Sequence, residues 1–247
     1  MNIYTTLHIG EFHTLHCEDF LIIEQLGTNT KLIAVMDGCS MGKESVFASI
    51  LFGKILRMIA KNKYYQEMYD DKEETLEKVL KEITQLLFEE AIHLKNKLGL
   101  ETEELLSTLI LGVVNVKESK AEIIAVGDGL ICVDGAITEY EQNDKPDYFG
   151  YHLSEDFEEW YNAQEQRLSI PEFQDLSICT DGIFSFKNLT DKENQKSENE
   201  IIDFLLISKH GLENEKYFDK RIKSLKDDEN HWLTDDLAIV RLINKLD

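Results

Sequence analysis

Acidic residues mark the ends of several apolar segments of this 247-residue sequence. In three places an apolar segment ends in an Asp-Gly pair, and in two others a pair of acids stands directly before such a segment. The five positions are Asp37-Gly38, Asp128-Gly129, Asp181-Gly182, Glu18-Asp19 and Asp235-Asp236. Carboxylate and carbonyl oxygens are the ligands that hard divalent cations such as Mg²⁺ and Mn²⁺ prefer. Because strand ends aim side chains rigidly, the pattern favours a divalent-metal site.

Each Asp-Gly pair also has a simpler interpretation, since this dipeptide is common in tight turns. We interpret Asp134-Gly135, which lies between two short apolar runs, as a hairpin turn, and a turn is also favoured for Asp128-Gly129. The metal-site interpretation of the other acids therefore depends on their combination along the chain and not on any single pair.

The apolar segments indicate an α+β fold. Seven short runs, many rich in Ile and Val and bounded by Gly or Asp, are typical of strands. They are Leu21–Leu26, Leu32–Met36, Leu109–Val116, Glu122–Val126, Leu130–Val133, Leu176–Thr180 and Leu237–Ile243. Apolar residues at helical spacing predict helices over Val46–Ile59 and Leu76–Leu94, and two more are expected at Glu200–Lys209 and Glu213–Leu225. Because helices and strands are grouped and do not alternate, we expect antiparallel sheets with helices packed outside.

The composition narrows the function classes. The formal net charge of −22 argues against binding to nucleic acid or to an anionic membrane surface. Four cysteines without zinc-site spacing indicate reduced core thiols. The sequence has no apolar run of membrane-spanning length and no signal peptide at its start, so we expect a cytoplasmic protein. Without a Gly- or Ser-rich linker, residues 1–247 are expected to form a single domain.

Other sequence patterns for phosphate or metal chemistry fit poorly. No cysteine begins a Cys-x5-Arg phosphatase loop, and no His-Glu-x-x-His pair occurs. The segment Gly38–Lys43 is similar to a phosphate-binding P-loop, but it is one residue short and Glu44 stands where Ser or Thr should follow. The acidic motifs thus remain the main chemical feature of the sequence.

The order of these motifs resembles that of the type-2C family of metal-dependent Ser/Thr protein phosphatases. In that family Glu/Gln-Asp, Asp-Gly, Ser/Gly-Thr-Thr/Ala, Val-Gly-Asp, Ser-Asp-Gly and Asp-Asn/Asp follow one another. This sequence has Glu18-Asp19, Asp37-Gly38, Ser107-Thr108, Val126-Gly127-Asp128, Thr180-Asp181-Gly182 and Asp235-Asp236 in the same order. Each motif is short, but six in order across residues 8–243 form a specific pattern. The resemblance implies a four-layer αββα sandwich, with two stacked antiparallel sheets flanked by helix pairs.

The resemblance also implies a function. The family hydrolyses phosphoserine and phosphothreonine in protein substrates, with two Mg²⁺ or Mn²⁺ ions that activate a metal-bound water for attack. Asp37 would bridge both ions, and Asp181 and Asp235 would complete one metal site. These three aspartates are the expected catalytic residues of a single phosphatase-like domain.

The other metal site would use the Gly38 carbonyl and Glu18, with Asp19 acting through a water. Some members of the family hold a third ion through an Asp four residues after the aspartate of the Ser-Asp-Gly motif. Here that position is Ser185, so a third site is expected to be weak or absent.

The sequence departs from the family at a position that binds the substrate phosphate. Members usually carry Arg five residues before the Asp of the first motif, whereas this chain has Thr14. His13 or His16 can replace it only in part, because a neutral imidazole is a weaker phosphate ligand than a guanidinium. His13 and Thr14 are therefore the candidate substrate-binding residues.

The missing Arg leaves two alternatives to an active protein phosphatase. One is a catalytically weak or inactive relative that acts as a phosphoprotein-binding regulator. The retained Asp37, Asp181 and Asp235 oppose it, because converging carboxylates repel one another without cations. The other is a phosphatase for a small phosphorylated molecule, which the sequence does not discriminate from the first choice.

The acidic and aromatic region between Asp134 and Pro171 has two open interpretations. The family often places a mobile flap near the active site in this part of the chain. A packed outer segment is an equally good interpretation of its aromatic residues, which include Tyr148, Phe149, Tyr151, Phe157, Trp160 and Tyr161.

Overall fold

Two five-stranded antiparallel sheets lie face to face in the computed structural model, which describes residues 1–67, 74–140 and 147–244. The strand order in the first sheet is β1 (Asn2–His8), β12 (Leu237–Ile243), β9 (Asp175–Cys179), β6 (Gly129–Val133) and β7 (Ala136–Tyr140). The order in the second sheet is β2 (Phe20–Gln25), β3 (Thr30–Met36), β4 (Leu109–Asn115), β5 (Lys120–Val126) and β8 (Arg167–Ile170). A small ribbon pairs β10 (Phe186–Asn188) with β11 (His231–Leu233).

Helices cover the outer face of each sheet. On the second sheet lie α1 (Phe47–Glu67) and α2 (Leu76–Leu98), with α3 (Phe157–Ala163) beside α2. On the first sheet lie α4 (Glu198–Ile202), a π-helical turn over Asp203–Ile207, and α5 (Tyr217–Asp227). The architecture is the α+β, four-layer αββα sandwich that the resemblance implies. No helix in the described ranges is long and apolar enough to cross a membrane.

Strand β12 shows why the central strands of these sheets have continuous apolar sequences. All seven of its residues are buried, because the strand lies between the second sheet and the helices that cover the first. Leu237 and Ile239 pack toward the helices, whereas Ala238 and Val240 pack between the sheets. A strand buried on both faces has no need of polar residues at alternate positions.

The long helices are defined by apolar spacing and by their caps. In α2, buried Leu80, Ile83 and Leu87 recur on one face. The Thr75 side chain accepts a hydrogen bond from the Lys78 backbone N–H at the start of the helix, and Gly99 ends it in the left-handed conformation, with φ at 68°.

Most sequence predictions of elements are confirmed. All seven predicted strands are present, with ends that differ from the prediction by at most two residues, and both long helices are present and extend further at their C-terminal ends than predicted. Asp134 and Gly135 have φ values of 51° and 87° and join β6 to β7, as expected for a two-residue hairpin turn. All four cysteines are free thiols. The single-domain organisation stays a prediction.

The two predicted C-terminal helices need correction. The first ends as an α-helix at Ile202 and continues only as a π-helical turn to Ile207, and the second begins at Tyr217. Carbonyl oxygens that a longer helix would bond internally are bound here by the Arg221 and Arg241 guanidinium groups. These acceptors belong to Phe204, Leu205, Ile207, Ser208 and His210.

Part of the acidic and aromatic region is packed. Phe149 is fully buried, and its ring lies 5.3 Å from that of Phe52 and 5.7 Å from that of Trp160, centroid to centroid. These contacts tie the region to α1 and confirm the packed interpretation for residues 147–163. Residues 141–146 of the same region lie outside the described residues.

Candidate functional site

Asp37 lies at the end of β3, where its backbone is fixed to the start of β4. Its N–H donates to Thr108 Oγ1 over 3.1 Å, and the Thr108 N–H donates to the Asp37 carbonyl over 2.8 Å. The following Gly38 forms an isolated β-bridge with Ser107 and donates its N–H to the Glu18 carbonyl. A Cβ on Gly38 would overlap the Ser45 carbonyl oxygen, so this corner requires glycine.

Asp19 lies directly against Asp37. The Asp19 carboxylate is buried, accepts a hydrogen bond of 2.6 Å from Thr180 Oγ1, and shares a hydrogen bond with the Asp37 carboxyl group. Thr180 immediately precedes Asp181 at the end of β9. The ends of β3 and β9 and the start of β2 therefore meet at one place and bring three acids together. We call Asp19, Asp37 and Asp181 the carboxylate cluster.

Burial and mutual repulsion raise the pKa values of the carboxylate cluster. Burial is the largest cause for each member. It raises the pKa of Asp19 to about 8 and, together with the charges of Asp128 and Asp235, that of Asp181 to about 7. Burial and the charges of Asp19 and Asp181 raise the pKa of Asp37 well above its usual range. Without nearby positive charge the cluster thus retains protons close to neutral pH.

The cluster fits a hard divalent cation in donor type and in charge. Its members supply only oxygen ligands, and a bound cation would offset the repulsion that raises their pKa values. Within the described ranges, however, no group of three or more His, Cys, Asp or Glu side chains has the arrangement that would hold a metal ion. The roles of the predicted ligands therefore stay predictions.

The pair Asp235-Asp236 divides into an outer and an inner acid. The Asp235 side chain is 52% exposed and its backbone N–H donates to Ser185 Oγ. Asp236 is buried, and its carboxylate accepts hydrogen bonds from the Gly10 and Glu18 backbone N–H groups. Asp235 thus lies where its charge reaches the cluster, whereas Asp236 ties the 10–18 loop to the start of β12.

His13 lies between these two acids. Its Nδ1 is 2.9 Å from Asp236 Oδ2, in an orientation that does not make a regular hydrogen bond, and its Nε2 is 3.4 Å from Asp235 Oδ1. Burial lowers the pKa of His13, but Asp236, Asp235 and Glu18 together outweigh it and raise the pKa above its usual value. The imidazole therefore gains positive character beside the site, while the neighbouring Thr14 is exposed.

Glu18 and Asp19 lie at different depths in the site, and their expected roles as ligands stay predictions. Glu18 lies at the rim, where its carboxylate accepts a hydrogen bond of 2.5 Å from Ser40 Oγ and lies 4.0 Å from His13 Nδ1. Asp19, expected to act through a water, is the acid in contact with Asp37.

Two acids at the site were not predicted from the sequence. The predicted turn at Asp128-Gly129 is a bend that carries the chain from the second sheet to the first, and Asp128 is the largest charge effect on Asp181. The Val-Gly-Asp motif could have revealed it. Asp236 was not predicted as a site residue either, because it is adjacent to Asp235 and the sequence alone does not show which of the two is buried.

The metal-free protein is expected to lose stability as the pH rises from about 6 to about 8.5. Asp19, Asp181 and His13 have raised pKa values in the folded state, so the folded chain binds more protons than the unfolded chain in this window. Their contribution is complete below the unfolded-state pKa and is lost as the pH passes the folded-state value. Urea unfolding in EDTA should show a loss of about 2–4 kcal/mol.

Asp19→Asn provides the control for this prediction, since asparagine does not titrate. Its unfolding free energy should change less with pH over the same range. Equal pH dependence in both proteins would show that the cluster does not retain protons in the folded state.

Comparisons with known proteins agree with this architecture. The family model described as protein phosphatase 2C matches residues 11–238, so the chain belongs to the protein phosphatase 2C family. A bacterial serine phosphatase aligns over 100% of this chain and 99% of its own, with a TM-score of 0.60 and 16% identity. The serine/threonine phosphatase Stp1 from Staphylococcus aureus aligns over 99% and 95%, with a TM-score of 0.61 and 15% identity.

The same sandwich occurs in the SiaA-PP2C domain of Pseudomonas aeruginosa, which aligns over 98% of this chain and 86% of its own, with a TM-score of 0.57 and 11% identity. At these identities the likeness concerns the fold. The sequence has no match among curated proteins. Family membership supports a Ser/Thr phosphatase.

Proposed function

We propose that the protein hydrolyses phosphoserine and phosphothreonine in protein substrates with the help of two divalent cations, Mg²⁺ or Mn²⁺. The observation that carries this proposal is the carboxylate cluster itself. Three acids are held close together by hydrogen bonds that involve the backbone and threonine side chains. Their raised pKa values reflect the free-energy cost of burying carboxylates next to one another. Cations would offset that cost, and membership of the family supports this use.

In this proposal Asp37, Asp181 and Asp235 would hold one cation, and Asp37 would also contribute to holding the other. Gly38, through its carbonyl, and either Glu18 or Asp19 serve the other site, and contact with Asp37 favours Asp19. When bound, the cations would neutralise charge on the phosphoryl oxygens and lower the pKa of a water molecule.

In this proposal the His13 side chain contributes to binding the phosphoryl group of the substrate. The imidazole lies between Asp235 and Asp236, whose charges raise its pKa above the usual value. A phosphate oxygen is a strong acceptor for an imidazolium N–H. His13 thus takes over part of the contact that the family obtains from the Arg replaced here by Thr14.

A phosphoprotein-binding regulator without turnover is the second candidate. The observation that favours it is the exposed Thr14, which cannot grip a phosphate as a guanidinium does. This candidate keeps metal and phosphate binding but loses the orientation that turnover requires.

Turnover of para-nitrophenyl phosphate and of a phosphothreonine peptide, with Mn²⁺, with Mg²⁺ and with EDTA, tests the proposal. We expect turnover with metal and its loss in EDTA, and calorimetry should show divalent-metal binding. Metal binding and phosphopeptide binding without turnover would favour the regulator. If the protein neither turns over substrate nor binds metal, the acids are only structural and the proposal is wrong.

A further inference from the structure

Residues 147–149 are fixed between two of the corners that carry the site acids. The Phe149 N–H donates to the Ser107 carbonyl over 3.0 Å, and Ser107 is bridged to Gly38. On the other side, a Cβ on Gly127 would lie only 2.5 Å from the Asp147 carbonyl oxygen, so the two backbones are in close contact. The segment therefore borders both the Asp37 corner and the Asp128 corner.

The same segment is rigid on its outer side. His152 lies between Asp147 and Glu155, with nitrogen–oxygen distances of 2.8 Å to each, and its ring lies 5.4 Å from that of Trp160. Phe149 is buried in the core beneath. Because the residues on both sides are anchored, the side chain of the residue between Asp147 and Phe149 points in a defined direction.

That residue is Tyr148, which is half-buried. Its phenol group interacts with the Cys39 side chain, directly after the Asp37-Gly38 corner, and its ring lies 5.6 Å from that of Tyr151. Burial, Cys39 and the charges of Asp37 and Asp128 all raise the pKa of Tyr148. The phenol is therefore a neutral donor, and it lies within electrostatic reach of two site acids.

We propose that the Tyr148 hydroxyl group donates a hydrogen bond to the phosphoryl group of the substrate. A thiol is a weak hydrogen-bond partner, so a phosphate oxygen at the site would compete well for this donor. An additional donor would also supply part of the phosphate contact that this chain lacks, since Thr14 stands where the family usually has Arg. The inference rests on the proposed function for the location of the substrate.

Tyr148→Phe tests the inference, because it removes only the hydroxyl oxygen. Calorimetry with inorganic phosphate and the Mg²⁺-loaded protein should show about a tenfold loss of phosphate affinity, the effect of one hydrogen bond to a charged group. The kcat/KM for the phosphothreonine peptide should fall by about the same factor. Mg²⁺ affinity should not change, since the phenol is not a predicted metal ligand.

Tyr161→Phe is the matched control in the same region. Tyr161 is buried on the outer side, where its hydroxyl group faces Arg167, and its loss should leave phosphate affinity within about twofold of the wild type. Unchanged phosphate affinity in Tyr148→Phe, or no phosphate binding by the wild type, would overturn the inference. Weaker phosphate binding by Tyr148→Phe in a protein without turnover would uphold the inference and contradict the proposed phosphatase activity.

Discussion

Asp37→Asn is expected to lower turnover of the phosphothreonine peptide by at least about a hundredfold, since even residues that only support metal ligands account for losses of 10–100-fold. Asp37 is the central acid of the site, in contact with Asp19 and within reach of the charges of Asp181 and Asp235. Asparagine keeps its size and its backbone hydrogen bonds to Thr108, but not its charge. The measurement is steady-state turnover with Mn²⁺.

Thermal unfolding separates this loss from misfolding. In EDTA the Asp37→Asn protein should be at least as stable as the wild type, because asparagine avoids the cost of protonating or burying the Asp37 carboxylate on folding. Added Mn²⁺ should raise the Tm of the wild type and have little effect on the variant, since a ligand stabilises only the state that binds it. This opposite effect on stability and on activity is characteristic of a site that cations complete.

Asp227→Asn is the matched control. Asp227 lies at the exposed end of α5, and its carboxylate is 4.0 Å from Lys223 Nζ, a surface pair of little energetic weight. This variant should keep its turnover and its response to Mn²⁺. If Asp37→Asn also keeps both, the carboxylate cluster is not the catalytic centre.

The sequence predicts the buried strands well and most edge strands poorly, with the exception of β2, against which α1 packs. Central strands such as β3 and β12 are covered on both faces and appear as apolar runs. Strand β1 is at the edge of the first sheet, where buried Tyr4 and Thr6 alternate with exposed residues. Its mixed composition carries little apolar signal, and β7 and β8 escape prediction because they are short edge strands too.

Adjacent acids show a second limit of sequence reasoning. Neighbouring residues in extended backbone point in opposite directions, so one of two consecutive acids faces inward and the other outward. The motif at 235–236 does not reveal which is buried, and the same holds for Glu18-Asp19. The structure resolves both cases, with Asp236 and Asp19 inside.

Partners that are distant in sequence show the third limit. Tyr148 follows the Asp37 corner by more than a hundred residues, and only the sheet topology brings the two together. His13 is similar, because its charged neighbours come from the start of β12. The motifs thus predict which acids matter, whereas the side chains around them follow from the fold.

Arg241→Met is expected to destabilise the protein by about 3–5 kcal/mol, the cost of leaving one member of a buried ion pair without its partner. The Arg241 side chain is fully buried, and its Nε and Nη2 lie 2.9 and 2.6 Å from the two Asp175 carboxylate oxygens. Nη1 donates to Tyr217 Oη and to two carbonyl groups. Urea unfolding in metal-free buffer measures the loss.

The position of this pair connects it to the site. Asp175 begins β9, which ends next to Asp181, and Arg241 is on β12, which begins after Asp235 and Asp236. The pair therefore joins the two strands that carry site acids at their opposite ends. Because it is remote from those acids, Arg241→Met should weaken the fold while leaving turnover near the wild-type value at low temperature.

A second substitution distinguishes the ion pair from general packing. In Arg241→Met with Asp175→Asn the unpaired charge is gone, so this double variant should be more stable than Arg241→Met by about 1–3 kcal/mol. A loss below about 1 kcal/mol in Arg241→Met would mean that water reaches Asp175 and solvates it. Equal instability of the two variants would instead assign the cost to the carbonyl groups that lose their guanidinium donor, and so to the π-helical turn.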